Sequence, residues 1–136
     1  MKSTPKFDPN KKELIPEDKS VAVDDYKLKA RIWIDGPSGT FIGYGRVVLL
    51  ERIEMYGSIS KAAKSMEMSY KHAWDLVESM NNQGKEPLVI KTTGGKDGGG
   101  AMLTEYGKNI LRVFWQLQDN LQEFIVNNKN IVDLLK

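Results

Sequence analysis

The stretch TTGGKDGGG, Thr92 to Gly100, sets one lysine among five glycines. Glycine-rich loops with a lysine can wrap a phosphate, because backbone amides approach the ligand closely and the ammonium neutralises it. A nucleotide-hydrolysing loop needs Gly-Lys followed by Ser or Thr, opening a helix. Here Gly95-Lys96 is followed by Asp97, an anion that repels phosphate, and the next apolar residues, Ala101-Met102-Leu103, are strand-like. A dinucleotide fingerprint also requires a helix at that point. The parts of a nucleotide cradle are missing. The stretch reads instead as a hairpin tip: residues 88–92 run out, the glycines turn, and residues 101–103 return.

A second group with chemical potential is Ser69-Tyr70-Lys71-His72. At a helix start, serine and the free amides can bind phosphate, tyrosine can stack or hydrogen-bond, and lysine and histidine can donate to base or backbone acceptors. Catalytic constellations are absent from the sequence. No Ser/His/Asp order follows a known motif, His72 is the single histidine, and there are no cysteines for thiolate zinc or nucleophilic chemistry. Glu51 and Glu54 share a helix face, an arrangement expected simply to be solvated. No enzyme activity, cofactor or metal is expected.

These groups need elements to hold them. Residues 1–27 are polar, carry three of the five prolines, and read as a flexible arm. KLKARIWID, residues 27–35, alternates apolar and polar residues as a strand does, and Gly36-Pro37-Ser38-Gly39 then turns the chain so that 40–42 can pair back. From Gly45, the residues Val48, Leu49, Arg52, Ile53 and Tyr56 follow helical spacing, and Gly57 ends the run. Ser58 or Ser60 can cap a short helix carrying Ala62, Ala63 and Met66, and Ser69 can cap a longer one reaching about Asn82. On that helix Ala73, Trp74, Val77 and Met80 form an inner face. Gly84 and Pro87 stop it.

Two helices joined by a short turn are a helix-turn-helix candidate, and a hairpin directly after such a pair is a wing. Ser58, Ser60 and Lys61 at the first helix start, residues 69–72 at the second, and Lys91 and Lys96 of the hairpin are then candidate DNA contacts. The charge balance supports this only weakly. Between Gly57 and Lys96, Lys61, Lys64, Lys71, Lys85, Lys91 and Lys96 stand against Glu67, Asp75, Glu78 and Glu86, and the whole chain of 136 residues carries a formal charge of +2. A helical core with solvated polar faces, or a module that binds protein through the same surfaces, remains open at this point. The hydrophobic content of 40% and charged content of 28% are those of a globular domain. No run of about 18 apolar residues is present, and the N-terminus has no apolar signal region. A cytoplasmic location is expected.

Thr104 can cap a long last helix, with Glu105 in its first turn. On it Ile110, Phe114, Leu117, Leu121, Phe124, Asn128, Ile131 and Leu135 are spaced alternately four and three, a heptad seam suited to a partner helix. A buried Asn128 would fix its register; alternatively Asn127-Asn128-Lys129-Asn130 ends the helix and leaves a short tail helix. Ile110, Phe114, Leu117, Leu121 and Phe124 are the candidate dimerisation residues, although part of the stripe must pack on its own domain.

The blocks GSISKAAKSMEMSYKHAWDLVESMN and PLVIKTTGGKDGGGAMLTEYGKNIL, in this order and at this spacing, resemble the N-terminal domain of the ModE family of molybdenum-responsive bacterial regulators. The similarity covers about residues 28 to 125. Its most specific parts are Ser69-Tyr70-Lys71, Ala73-Trp74-Asp75 and Thr93-Gly94-Gly95-Lys96 with Gly98-Gly99-Gly100. It implies a winged helix-turn-helix related to the DNA-binding module of LysR-type regulators, bound as a dimer to a palindromic operator. It also implies that Thr92, Thr93, Gly94, Gly95 and Lys96 lie in the wing, and that Trp74 is a core residue. Full-length members continue into molybdate-binding domains, so molybdate binding is not expected from this chain alone. The expectation is an α+β, mainly helical protein: an arm over 1–27, a winged helix-turn-helix over 28–103, and a dimerisation helix over 104–136. It is expected to regulate transcription by binding double-stranded DNA as a homodimer, with no membrane partner.

Overall fold

The computed structural model describes residues 21–23, 26–93 and 99–135. Residues 1–20 of the expected arm, and Gly94, Gly95 and Lys96 of the expected hairpin tip, lie outside the described residues. The elements are β1 (Val21–Val23), β2 (Tyr26–Leu28), β3 (Ile34–Gly36), β4 (Gly39–Ile42), α1 (Tyr44–Tyr56), α2 (Ile59–Ser65), α3 (Tyr70–Gln83), β5 (Val89–Thr92), β6 (Gly100–Leu103), α4 (Glu105–Asn127) and α5 (Asn130–Asp133). Among the described residues the architecture is α+β and mainly helical, with three separate antiparallel strand pairs and a long C-terminal helix.

The first strand pair departs from expectation. The alternating run 27–35 does not form one strand: 26–28 pair with 21–23, 34–36 pair with 39–42, and 29–33 belong to neither strand pair. Alternation gives a segment two faces, but a strand also needs a neighbour for its amides. Here the partners exist only at the two ends. Ala30 is exposed and Ile34 is largely so, and of this face Ile32 alone packs, partly buried, against the core. The arm boundary expected at residue 27 falls inside β2, and α5 packs on the β1–β2 pair.

α1 is the central helix. Val47, Val48, Leu49, Leu50 and Ile53 are all buried, and around them pack Ile59, Ala62, Ala63, Ala73, Val77, Met80, Leu88, Leu103 and Phe114. Arg52 is fully buried on the same helix. A buried guanidinium must be hydrogen-bonded; its Nη1 donates to the Ser65 carbonyl at 2.7 Å and to Ser65 Oγ at 3.2 Å, closing the C-terminal end of α2. Gly57 ends α1 in the left-handed region (φ 66°) and returns its amide to the Ile53 carbonyl.

The caps fall where the sequence places them. Ser58, rather than Ser60, caps α2 by accepting from the Lys61 amide. Ser69 caps α3 through the His72 amide, and Thr104 caps α4 through the Gly107 amide. Between α2 and α3 the turn contains Glu67 at φ 57°, a left-handed residue in a four-residue connection.

Glu51 is not simply solvated. It is half-buried and accepts a hydrogen bond from the Trp115 indole, and burial raises its pKa against the lowering effects of Trp115 and Arg52. Glu54 accepts from the Leu103 amide and faces Lys108.

α4 ends at Asn127. Asn128 turns back so that its Nδ2 donates to the Phe124 carbonyl at 2.7 Å, and α5 follows as a short tail helix. The seam is therefore broken, and Asn128 is spent on its own helix end. Phe114 is 1% exposed within its own chain, so it is a core residue with no surface left for a partner. Ile110 also packs against the core.

Candidate nucleic-acid interface

The interface is built on the α2–turn–α3 pair and the β5–β6 strands. α3 is amphipathic: Ala73, Val77 and Met80 face the core while Tyr70, Lys71, His72 and Asp75 face outward. Its outward start is fixed by the Ser69 cap. Three polar brackets tie the strand pair to α3, to the α1–α2 connection and to the start of α4. Asn81 of α3 accepts at Oδ1 from the amides of Leu88 and Val89, at 2.8 and 3.1 Å, and its Nδ2 donates to the Val89 carbonyl at 3.0 Å. The Ala101 amide donates to the Gly57 carbonyl at 3.0 Å, tying β6 to the α1–α2 connection. The Thr104 amide donates to the Leu88 carbonyl at 2.9 Å. Sequence reasoning missed Asn81. Its place one residue before Asn82 and close to Gly84 and Pro87 is the only signal, and a polar residue at a helix end reads as solvated.

Between the start of α2, the start of α3 and the strand pair opens a cleft of about 940 Å³. Ser58, Ser60, Lys61, Tyr70, Lys91, Thr92 and Thr93, seven of the expected contact residues, line it, together with Tyr56 and the glycines 57, 99 and 100. Lys61 and Lys91 are exposed and stand on different walls. Ser69, Lys71 and His72 do not line the cleft; Lys71 and His72 are exposed beside it on α3. Lys71 Nζ lies 3.0 Å from the Asp75 carboxylate, one helical turn on, with both side chains well exposed. Lys91 Nζ lies 4.3 Å above the Trp74 ring. Trp74, expected to be core, is only half-buried.

The surface can therefore offer two cations, several hydroxyls and an aromatic ring along one concave face. That chemistry suits a polyanion, whose phosphates need dispersed cations and amides rather than one deep pocket. Among the described residues no group of three His, Asp or Glu side chains is arranged to hold a metal ion. No helix among them is long and apolar enough to cross a membrane.

The α2–α3 pair and the β5–β6 strand pair thus enclose one cleft with Lys61 and Lys91 on its walls. No protein-family profile matches the chain. Individual relatives do. The chain is 45% identical over 96 residues to the molybdenum transport protein ModE of Azotobacter vinelandii, covering 71% of this chain and 36% of that protein. It is 46% identical over 69 residues to the DNA-binding transcriptional dual regulator ModE of Escherichia coli K12, covering 51% of this chain and 26% of that protein. It is 37% identical over 97 residues to the molybdenum-pterin-binding protein MopB of Rhodobacter capsulatus, with 71% and 36% covered. These similarities support a relationship to the molybdenum-linked ModE family. The chain spans about a third or less of the length of these relatives.

Proposed function

We propose that this chain is the winged helix-turn-helix DNA-binding part of a ModE-like transcription regulator. α3 enters the major groove, with Tyr70, Lys71 and His72 at the base edges and Ser69 at a phosphate. The β5–β6 wing and its glycine tip, with Thr92, Thr93, Gly94, Gly95 and Lys96, follow the flanking backbone or minor groove. The observation that carries the reading is the cleft that gathers Lys61, Tyr70 and Lys91 between the two elements. The transcription regulators among its relatives support the same reading. The chain acts without catalysis, inside the cytoplasm.

The module works as a homodimer. On α4, Val113, Leu117, Leu121 and Phe124 form an apolar strip beside the helix's own core face; Leu117 and Leu121 are partly buried, and Val113 and Phe124 are exposed at 48% and 59%. A helix of 23 residues is about 34 Å long, long enough for an extended helix-to-helix contact. A two-fold pair would present two copies of α3 to half-sites about 34–36 Å apart. Ile110 and Phe114, expected on this seam, serve the core instead.

Selection from a random duplex library, read at two salt concentrations, tests the proposal. Enrichment of a palindrome with half-sites one turn apart and a steep salt dependence are expected. Weak binding that ignores sequence would refute it. A second reading, a protein-binding module, is favoured by one observation: Ile90 and Met102 are register partners on the outer face of the strand pair, and both are largely exposed.

A further inference from the structure

We propose that Trp74 is a positioning residue for Lys91, holding its ammonium on the wall of the cleft before DNA arrives. The inference rests on the DNA-binding reading and adds to it a role for a side chain that the sequence assigns to the core.

Lys91 projects from β5 and Trp74 from α3, yet the ammonium sits 4.3 Å over the indole ring. Trp74 packs against the core on one side and remains partly open on the other, whereas its neighbours Ala73 and Val77 are buried. The ring is therefore a fixed platform. Tyr70, one turn before it on α3, lines the same cleft as Lys91.

A lysine on a free stem has many rotamers, and ordering it at a phosphate costs affinity. A partner that orders it in advance removes part of that cost. The nature of the partner matters. The face of an aromatic ring attracts the ammonium through its quadrupole without consuming its N–H donors or adding negative charge. Those donors stay available to a phosphate. Lys71 is the contrast: its partner, Asp75, is an anion that a phosphate must displace and that repels the incoming backbone. Two of the lysines on this surface, Lys71 and Lys91, are thus held by consecutive residues of α3 in two different ways. Lys91 is ready for DNA, and its position on the wing is referenced to the recognition helix.

The test is anisotropy titration of a fluorescent random-sequence duplex at several salt concentrations, with thermal unfolding of each variant as the fold check. Lys91→Met is expected to weaken binding and to lower the salt slope by about 0.9, one phosphate contact. Trp74→Leu is expected to weaken binding about two- to fivefold, the range of an exposed cation–π contact, with the slope retained. Trp74→Phe should keep near wild-type affinity. In the Lys91→Met background, Trp74→Leu should add no further loss. An equal loss in both backgrounds would mean that Trp74 acts through packing alone and would overturn the proposal. Should Trp74→Leu fail to fold, the free wild-type protein still decides: the Lys91 side-chain methylene protons must show upfield ring-current shifts in its NMR spectrum, and their absence overturns the assignment. If the wild type shows no duplex binding, the DNA-binding reading itself falls, and the role of Trp74 in it falls too. If the wild type binds and only the Trp74 effects fail, the DNA reading stands.

Discussion

Replacing Gly107 by alanine puts two effects of known sign against each other. Gly107 lies in the first turns of α4, and alanine is the better helix former by about 1 kcal/mol in a helix interior. Against that stands the backbone at the start of β5. A Cβ on Gly107 would lie 3.0 Å from the Leu88 carbonyl carbon and closer still to the carbonyl oxygen, which is inside any real contact. The clash would be cheap if Leu88 could move, but it is tied at both ends. Its amide donates to Asn81 Oδ1 at 2.8 Å, its carbonyl accepts from the Thr104 amide at 2.9 Å, and its side chain is fully buried. Relief requires α4 to lift from the strand pair, which strains the Thr104 bond and loosens the packing. Overpacking of this kind costs about 1–3 kcal/mol, and a weakened backbone hydrogen bond adds about 1 kcal/mol. After the gain in helix propensity, a net loss of about 2 kcal/mol is expected. Urea unfolding followed by circular dichroism, at fixed protein concentration, measures it. Gly45, in the first turn of α1 with nothing within 4 Å of a built Cβ, is the control, and Gly45→Ala should be neutral or stabilising by up to about 0.5 kcal/mol. A Gly107→Ala protein as stable as wild type would refute the view that α4 is seated by backbone contact at this point.

Gly57→Ala meets no atom within 4 Å but stands at φ 66°, so it should cost about 1 kcal/mol through backbone strain alone, read in the same unfolding assay. Glu51→Gln keeps the Trp115 hydrogen bond and removes the buried charge. Because burial raises the Glu51 pKa in the folded state, the proton it holds favours folding at low pH, and that advantage is lost as pH rises through the raised value; the variant should therefore gain stability over wild type toward neutral pH and match it in acid. Asp75→Asn frees Lys71 and removes a negative charge from the recognition surface, so affinity for random duplex should rise and its salt dependence steepen; unchanged binding in both respects would remove Lys71 from the interface. Phe124→Asp should leave the fold intact, since the ring is 59% exposed, and should lower the dimer fraction in sedimentation; an unaltered dimer would put the subunit contact elsewhere.

The features legible in the sequence are those whose cause is local. Ser58, Ser69 and Thr104 cap helices because a hydroxyl beside a helix start satisfies an otherwise free amide, whatever the rest of the chain does. Gly57 ends α1 for an equally local reason, and the pairing of β5 with β6 follows from two short apolar runs on either side of glycines. The misread features depend on partners distant in sequence. KLKARIWID alternates as a strand should, but only its ends meet another strand. Phe114 fits a heptad seam by spacing, yet α1 lies on that side and takes it into the core. Asn81 and Trp74 show the same limit at the interface. Neither residue is marked by spacing as anything but a helix-end polar group and a core aromatic; each gains its role from β5, which reaches α3 only after the chain has turned at Gly84 and Pro87. Position on a helix fixes which residues share a face, and the neighbouring element decides what the face does. That is why the hydroxyls, lysines and tyrosine that line the cleft were legible as types, while the two residues that hold β5 and its lysine against α3 became visible only once the strand pair was in place.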